Sequence, residues 1–259
     1  MLNKQCPEEL SVTLYLNRFE LATLQLSSTD WEDWTIGYLF SEGFVQSPHD
    51  LKRLIIDDHR QKVWADLLPG IDVESYLKRR RHLTAGCGKG VTFHSESDVR
   101  NFKPVVGNRK VTLPEIQEYM RQFAKLTPLY HQTGGVHAAC LVDEEGGFVA
   151  VREDIGRHNA VDKVIGYALK AEQSPSSLIL MTSGRISYEM LAKAARFGVG
   201  IVVSRTAATN QAVKLAQELQ VEVIGYIRGQ MATVYTSVGR IHDGDEQWVG
   251  GDDQQRKLQ

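Results

Sequence analysis

Cysteine is scarce in this chain of 259 residues: there are three, Cys6, Cys87 and Cys140, odd in number and far apart. That pattern excludes a disulfide framework and suits a reducing compartment. Neither charge sign dominates, since 30 Lys and Arg face 32 Asp and Glu for a formal net charge of −2. No basic field points to nucleic acid, and no acidic tail suggests a solvating segment. No stretch approaches the ~20 apolar residues of a membrane helix. Met1-Leu2-Asn3-Lys4-Gln5 leads into no apolar segment, so no signal peptide is visible. The expectation is a cytoplasmic protein with no nucleic-acid or membrane partner. Catalytic signatures are missing too. There is no Cys-x-x-Cys for a cysteine-rich zinc site and no Gly-x-Ser-x-Gly elbow. Gly86-Cys87-Gly88-Lys89-Gly90 lacks the glycine spacing of a phosphate loop and the Ser or Thr after its lysine.

What is present is an ordinary globular composition, 42% hydrophobic and 24% charged. Residues 11–26 alternate apolar and polar, predicting two strands that turn near Asn17-Arg18. Thr29 and Glu32 predict a capping box for a helix carrying Trp31, Trp34, Tyr38 and Leu39, with Gly43 as its stop. Residues 51–68 form a second expected hairpin, turning at Asp57-Asp58-His59. The basic run Lys78-Arg79-Arg80-Arg81-His82 leads to the Cys87 loop, and the polar, aperiodic residues 94–111 predict a linker. The expected division is a smaller β-rich region over 1–108 and an α/β domain over 109–259.

The second part begins with a capping box at Thr112 and Glu115, followed by the stripe Ile116, Tyr119, Met120, Phe123 and Leu126. Strands over 136–142 and 147–152 join through Glu144-Glu145-Gly146-Gly147, and a helix covers 158–171. Three nearly continuous apolar runs, 178–182, 200–204 and 221–227, then alternate with helices over 187–197 and 208–219. Such runs suit buried parallel strands, so the fold class is α/β with a mostly parallel sheet.

Ligands of open α/β sheets bind beyond the carboxyl ends of the strands. Here those ends read Ser183-Gly184-Arg185, Ser204-Arg205-Thr206-Ala207-Ala208-Thr209 and Arg228-Gly229-Gln230, each an arginine with small or hydroxyl neighbours. The first two precede helix N-termini. Backbone N–H groups and guanidinium forks there favour an anionic ligand such as a nucleotide; the alternative is helix caps with solvated arginines. The run from Arg152 to Lys163 is either a polar wall of that site or a surface with Asp154 or Asn159 as helix cap. Thr133-Gly134-Gly135-Val136-His137-Ala138-Ala139 permits close backbone approach through its paired glycines; His137 reads more simply as a satisfied core residue.

Cys87 stands apart, with glycine on both sides, Lys89 two residues on and the basic run before it. Nearby cations favour the nucleophilic thiolate, and an accessible segment suits carrying a group between sites; the alternative is an incidental surface thiol. Cys140 lies among core residues, and Cys6 shows no evident role.

Together with Ile36-Gly37-Tyr38-Leu39-Phe40-Ser41-Glu42-Gly43, the run Arg152 to Lys163, Thr182-Ser183-Gly184-Arg185, Ser204-Arg205-Thr206-Ala207 and Gly225-Tyr226-Ile227-Arg228-Gly229, these motifs resemble the FdhD family of formate dehydrogenase accessory sulfurtransferases. The resemblance implies a three-layer fold like that of cytidine deaminases, without their zinc: His-x-Glu and Pro-Cys-x-x-Cys are absent. It implies a sulfurtransferase whose Cys87 takes persulfide sulfur from a cysteine desulfurase. The sulfur passes to the molybdenum (or tungsten) bis(molybdopterin guanine dinucleotide) cofactor for the formate dehydrogenase catalytic subunit. The segment Tyr226, Ile227, Arg228, Gly229, Gln230 and Met231 matches the family's cofactor-binding stretch. Ser183, Arg185, Arg205 and Thr206 complete the expected contacts, GDP or a related guanine nucleotide would mimic the cofactor, and a homodimer is implied. Where the family commonly has Cys-x-x-Cys in the Cys87 loop, Gly90 stands here, which leaves a single-cysteine carrier. The alternative is a cofactor chaperone that moves no sulfur.

Overall fold

The computed structural model describes residues 4–70, 82–83, 91–92, 102–107, 109–229 and 231–242, the two short pairs by backbone alone. Cys87, Lys89, Gly90, Gln230 and the basic run up to Arg81 lie outside the described residues.

β1 (Leu10–Leu16) and β2 (Phe19–Leu26) form the first expected hairpin. Asn17 turns it with a left-handed φ of 54°, a conformation Asn tolerates better than most residues, and its Oδ1 accepts from Leu67 N at 2.8 Å. β3 (Leu51–Asp57) and β4 (Lys62–Leu67) form the second, and β4 pairs parallel with β1 to give the order β2-β1-β4-β3. Between the hairpins lies α1 (Trp31–Ser41), which buries almost every residue and so has no solvent face. Its start departs from expectation. Asp30 is the N-cap, in a left-handed conformation with no side-chain cap bond, so the Thr29–Glu32 box does not form. Gly43 follows the helix at φ 85° and ends it as expected.

β5 (His82–Leu83) and β6 (Val91–Thr92) pair with each other. β7 (Val111–Thr112) leads into α2 (Leu113–Phe123), where the expected capping box is complete: Glu115 N donates to Thr112 Oγ1 and Thr112 N to Glu115 Oε2. The short α3 (Pro128–Thr133) has no counterpart in the sequence expectations. Then come β8 (His137–Val142), β9 (Phe148–Asp154), α4 (Arg157–Lys170), β10 (Ile179–Thr182), α5 (Tyr188–Phe197), β11 (Ile201–Ser204), α6 (Asn210–Glu218), β12 (Glu222–Arg228), β13 (Met231–Thr236) and β14 (Ile241–His242).

The main sheet has six strands in the order β13-β12-β11-β10-β8-β9. The α/β class holds, with the parallel part confined to β10, β11 and β12; the pairings β12–β13, β10–β8 and β8–β9 are antiparallel. Successive residues face opposite sides of this sheet. Leu180, Val202 and Val223 join the large cluster with Val161, Val164, Leu191 and Leu215 of α4, α5 and α6. Ile179, Met181, Ile201 and Val203 instead meet Ile116, Met120 and Phe123 of α2. The large cluster also takes in Val12, Leu14, Trp34, Leu39 and Val63, so one core runs from the β1 sheet to the main sheet.

α1 and α4 cross with their backbones touching. A Cβ on Gly37 would stand 1.8 Å from Asp162 O, and one on Gly166 would stand 1.8 Å from Asp33 O. No other residue type fits either position without the helices moving apart. The approach helps organise a buried polar seam. Lys163 Nζ meets Asp154 Oδ2 at 2.7 Å with both side chains fully buried. Lys193 Nζ meets Asp162 at 2.6 and 2.7 Å, and Ser41 Oγ donates to the same carboxylate at 2.8 Å. Arg152 holds Asp33 through Nε at 2.9 Å and Nη2 at 2.8 Å. Two buried arginines tie residues 105–109 to the body. Arg109 Nη1 donates to Val142 O and Ser177 O, both at 2.6 Å, and Arg240 donates to Gln220 O, Val105 O and Gly107 O.

Candidate functional site

At the carboxyl ends of β10, β11 and β12 the chain stitches its loops together sideways. Ser183 N donates to Ala138 O, Arg205 N to Thr182 O and Tyr226 N to Thr206 O, each within 3.1 Å. Ser204 Oγ donates to Gly184 O at 2.7 Å and accepts from Thr206 N at 2.9 Å. These bonds make a fixed floor out of segments that would otherwise be independent turns. Gly225 makes the last one possible, because a Cβ there would stand 2.5 Å from Thr206 O. The next residue, Tyr226, takes a left-handed φ of 51° beside a register shift between β12 and β13, and its side chain is exposed. Such a conformation is uncommon for a residue with a Cβ and concentrates at functional places.

Over this floor lies a cavity of about 500 Å³. Ser183, Arg205, Thr206 and Arg228 line it from the strand ends, Met120 and Phe123 from α2 with Ala124 just after it, Tyr130 from α3, Gly134 and Gly135 from the loop that follows, and His137 from the start of β8. Its lining combines apolar and aromatic side chains with hydroxyls and two exposed guanidinium groups, a mixture that suits a ligand with both a flat ring and an anionic group. Glu153 positions α3 by accepting from Leu129 N at 2.9 Å and Tyr130 N at 2.6 Å, where free N–H groups and the helix dipole favour a carboxylate. Residues 4–7 lie against the glycine pair: Gln5 N donates to Gln132 O, and Pro7 Cγ stands 2.9 Å from where a Gly135 Cβ would be.

The expected site residues therefore divide. Ser183, Arg205, Thr206 and Arg228 come together. Arg185 is exposed and outside the lining, though close enough to His137 to act on its titration. Ile227 is buried in the core with α2, whereas Gly229 and Met231 are exposed on the β12–β13 turn. The helices behind the first two loops are capped by their own hydroxyls: Ser187 accepts from Met190 N and Thr209 from Ala212 N. Each cap satisfies one of the free N–H groups at its helix start.

The run Arg152 to Lys163 supplies none of the side chains that line the cavity, and it is not a salt-bridged surface: Arg152, Asp154, Asp162 and Lys163 point inward to the seam described above, Glu153 holds α3, Arg157 packs behind Gly184, and α4 is capped by Gly156, not by Asp154 or Asn159. Asp154 Oδ1 instead accepts from Gly156 N and Asn159 Nδ2, each at 2.9 Å. His137 was expected in the core and is found half-buried in the cavity lining, its Nδ1 3.4 Å from Ser183 Oγ. Burial first, then Arg157 and Arg185, hold its pKa below the usual imidazole value, so the ring is neutral at pH 7. His158 Nε2 stands 3.3 Å from Glu189, yet burial beside Lys193 and Arg157 outweighs that carboxylate and pushes its pKa to about 3. Cys140 is buried, and desolvation raises its thiol pKa far above the usual value, which suits a packing role. Cys6 is exposed. No group of three or more His, Cys, Asp or Glu side chains placed to hold a metal occurs among the described residues. No helix among them is long and apolar enough to cross a membrane.

The fold and cavity define an α/β protein with a cleft at its strand ends that two arginines line. The chain belongs to the FdhD/NarQ family, which it matches over residues 7–242. It is 36% identical over 234 residues to the sulfur carrier protein FdhD of Bacillus pumilus, covering 90% of this chain and 89% of that protein. With the protein of the same name from Bacillus subtilis it shares 37% identity over 237 residues, 91% of this chain and 89% of that one. Among solved structures, a protein described as a formate dehydrogenase accessory protein from Desulfotalea psychrophila superposes with a TM-score of 0.73. The identity is 24%, covering 92% of this chain and 90% of that one, and the likeness extends to the fold.

Proposed function

We propose that this protein carries sulfur on Cys87 from a cysteine desulfurase to the bis(molybdopterin guanine dinucleotide) cofactor destined for the formate dehydrogenase catalytic subunit. The observation that carries the reading is the cavity, whose lining joins aromatic side chains with Arg205 and Arg228 at the strand ends, groups that suit the base and the phosphates of a nucleotide arm. Relatives named as sulfur carrier proteins support the sulfur half of it.

In the first transfer the Cys87 thiolate attacks the outer sulfur of the desulfurase persulfide. A new S–S bond forms on Cys87, the old one breaks, and the desulfurase cysteine leaves as thiolate, with no net change in oxidation level. In the second transfer that outer sulfur passes to the cofactor metal, which supplies the two electrons that turn it into sulfide, and Cys87 returns as thiolate. The guanine nucleotide arm would be held in the cavity, where Tyr130 could meet the base and Arg205 and Arg228 the phosphates.

The test is intact-protein mass spectrometry after incubation with an active desulfurase and cysteine, comparing the natural chain with Cys87→Ser. One added sulfur that maps to the Cys87 peptide and is lost in the variant is the expected result, together with loss of formate dehydrogenase activation. Full activation by Cys87→Ser would overturn sulfur carriage and leave a chaperone that only holds the cofactor.

A further inference from the structure

Arg157 is nine-tenths buried, and among the described residues its guanidinium has no hydrogen bond or ion pair, its Nε being enclosed without a partner. The other buried cations are matched: Lys163 by Asp154, Lys193 by Asp162, and Arg109 and Arg240 by backbone carbonyls. Arg157 is also the first residue of α4, a helix of 14 residues. Its Gly156 cap offers no side chain and its first turn holds no acid, unlike α2, α5 and α6, which are capped by Thr112, Ser187 and Thr209. A cation at the positive end of a helix dipole without a counter-charge is unfavourably placed, and because only Nε of its three nitrogens is enclosed, the two terminal nitrogens remain open to an anion.

The nearby carboxylates do not relieve this. Asp154 is taken by Lys163, Asn159 and two backbone N–H groups, and Glu189 stands against His158. The side chain lies beside the cavity. A point one bond above Gly184 is 2.8 Å from Arg157 Cβ, 3.1 Å from its Cδ and 3.4 Å from Nδ1 of His137, which lines the cavity. Any side chain at residue 184 would press on the stem of Arg157 and displace it.

We propose that Arg157, the N-terminus of α4 and His137 form a site for a phosphoryl group at the edge of the cavity. This rests on the nucleotide reading above and deepens it by assigning the diphosphate an anchor distinct from Arg205 and Arg228. A phosphoryl group here converts the unpaired guanidinium and the uncapped helix end from repelling neighbours into joint donors. His137, uncharged, adds a ring nitrogen that can donate to it.

The experiment is isothermal titration of the full chain and its Arg157→Gln and Arg157→Lys variants with sodium pyrophosphate, GDP and guanosine, with thermal melting of each. The natural chain is expected to bind pyrophosphate and GDP. Arg157→Gln weakens both by roughly tenfold or more, the loss of one charge-assisted hydrogen bond, and leaves guanosine unchanged. Arg157→Lys loses less. Without ligand, Arg157→Gln melts no lower than the natural chain, because an unpaired charge holds nothing together. Equal pyrophosphate affinity in Arg157→Gln, absence of pyrophosphate binding by the natural chain, or a variant that fails to fold would each overturn the proposal. Pyrophosphate binding that depends on Arg157, with GDP no tighter than pyrophosphate, would keep the phosphoryl site and sink the guanine-nucleotide reading instead.

Discussion

Alanine at Gly37 or Gly166 adds one methyl group to the place where α1 and α4 touch. On an exposed helix the change would stabilise by about 1 kcal/mol, because Ala is the better helix former. Here the new carbon would sit 1.8 Å from a carbonyl oxygen of the other helix, with that carbonyl's carbon at 2.6 Å from Gly37 or 2.7 Å from Gly166. Ordinary contact begins near 3.4 Å. The helices must separate by about 1.5 Å, and neither obstacle is a side chain that can swing aside. Overpacking of this kind costs ~3 kcal/mol, the upper end of its usual range, so the net change is about 2 kcal/mol destabilising. For a chain of this size that is a fall of roughly 4–8 °C in Tm. The assay is thermal melting by circular dichroism, with urea titration as a check. The double variant should lose less than the sum of the two singles, since one separation relieves both collisions. Unchanged or raised Tm in either single variant would refute the crossing geometry.

His158 gives a pH-dependent prediction. Its pKa is about 3 in the folded chain against 6.5 for a free imidazole, so below pH 6.5 the unfolded state binds the extra proton. Its contribution is complete above pH 6.5 and is lost on acidification toward pH 3, at up to about 1.4 kcal/mol per pH unit. His158→Gln should flatten the acid limb of a stability–pH curve by that slope; an unchanged limb refutes the assignment. Lys163→Met strands the Asp154 carboxylate in the core and should cost ~3–5 kcal/mol in urea titration, with Asp154→Asn in the same chain restoring part of the loss. A single variant as stable as the natural chain would show that the pair is not what holds this corner.

The elements most legible in the sequence are those whose determinants are local. The apolar runs that became β10, β11 and β12, the box at Thr112 and Glu115, and the Gly43 stop needed only neighbours a few residues away. Ser183, Arg205, Thr206 and Arg228 were placed together because parallel strands bring their carboxyl ends to one edge. The run Arg152 to Lys163 was opaque because its partners are distant: Asp33 lies 119 residues from Arg152, and Ser27 lies 127 from Asp154. A period of 3.6 identified Met120 and Phe123 as an apolar face but not as a cavity wall. α3 escaped notice because six residues beginning with proline leave too little periodicity. The role of Gly37 is invisible in the sequence, since nothing local records that Asp162 O lies against it.

Arg240 and β14 close the molecule late. β7 pairs with β14, and Val105, Gly107 and Gln220 give their carbonyls to Arg240. On a ribosome adding about 5–20 residues per second, the segment before α2 is made roughly 7–26 seconds before the arginine that fastens it. Over that interval the strands of the main sheet emerge in order, with the two clusters sharing its faces still incomplete. The apolar runs of β10 to β12 are therefore most exposed to misassociation during synthesis, and the final latch is set only when nearly the whole described chain has been made.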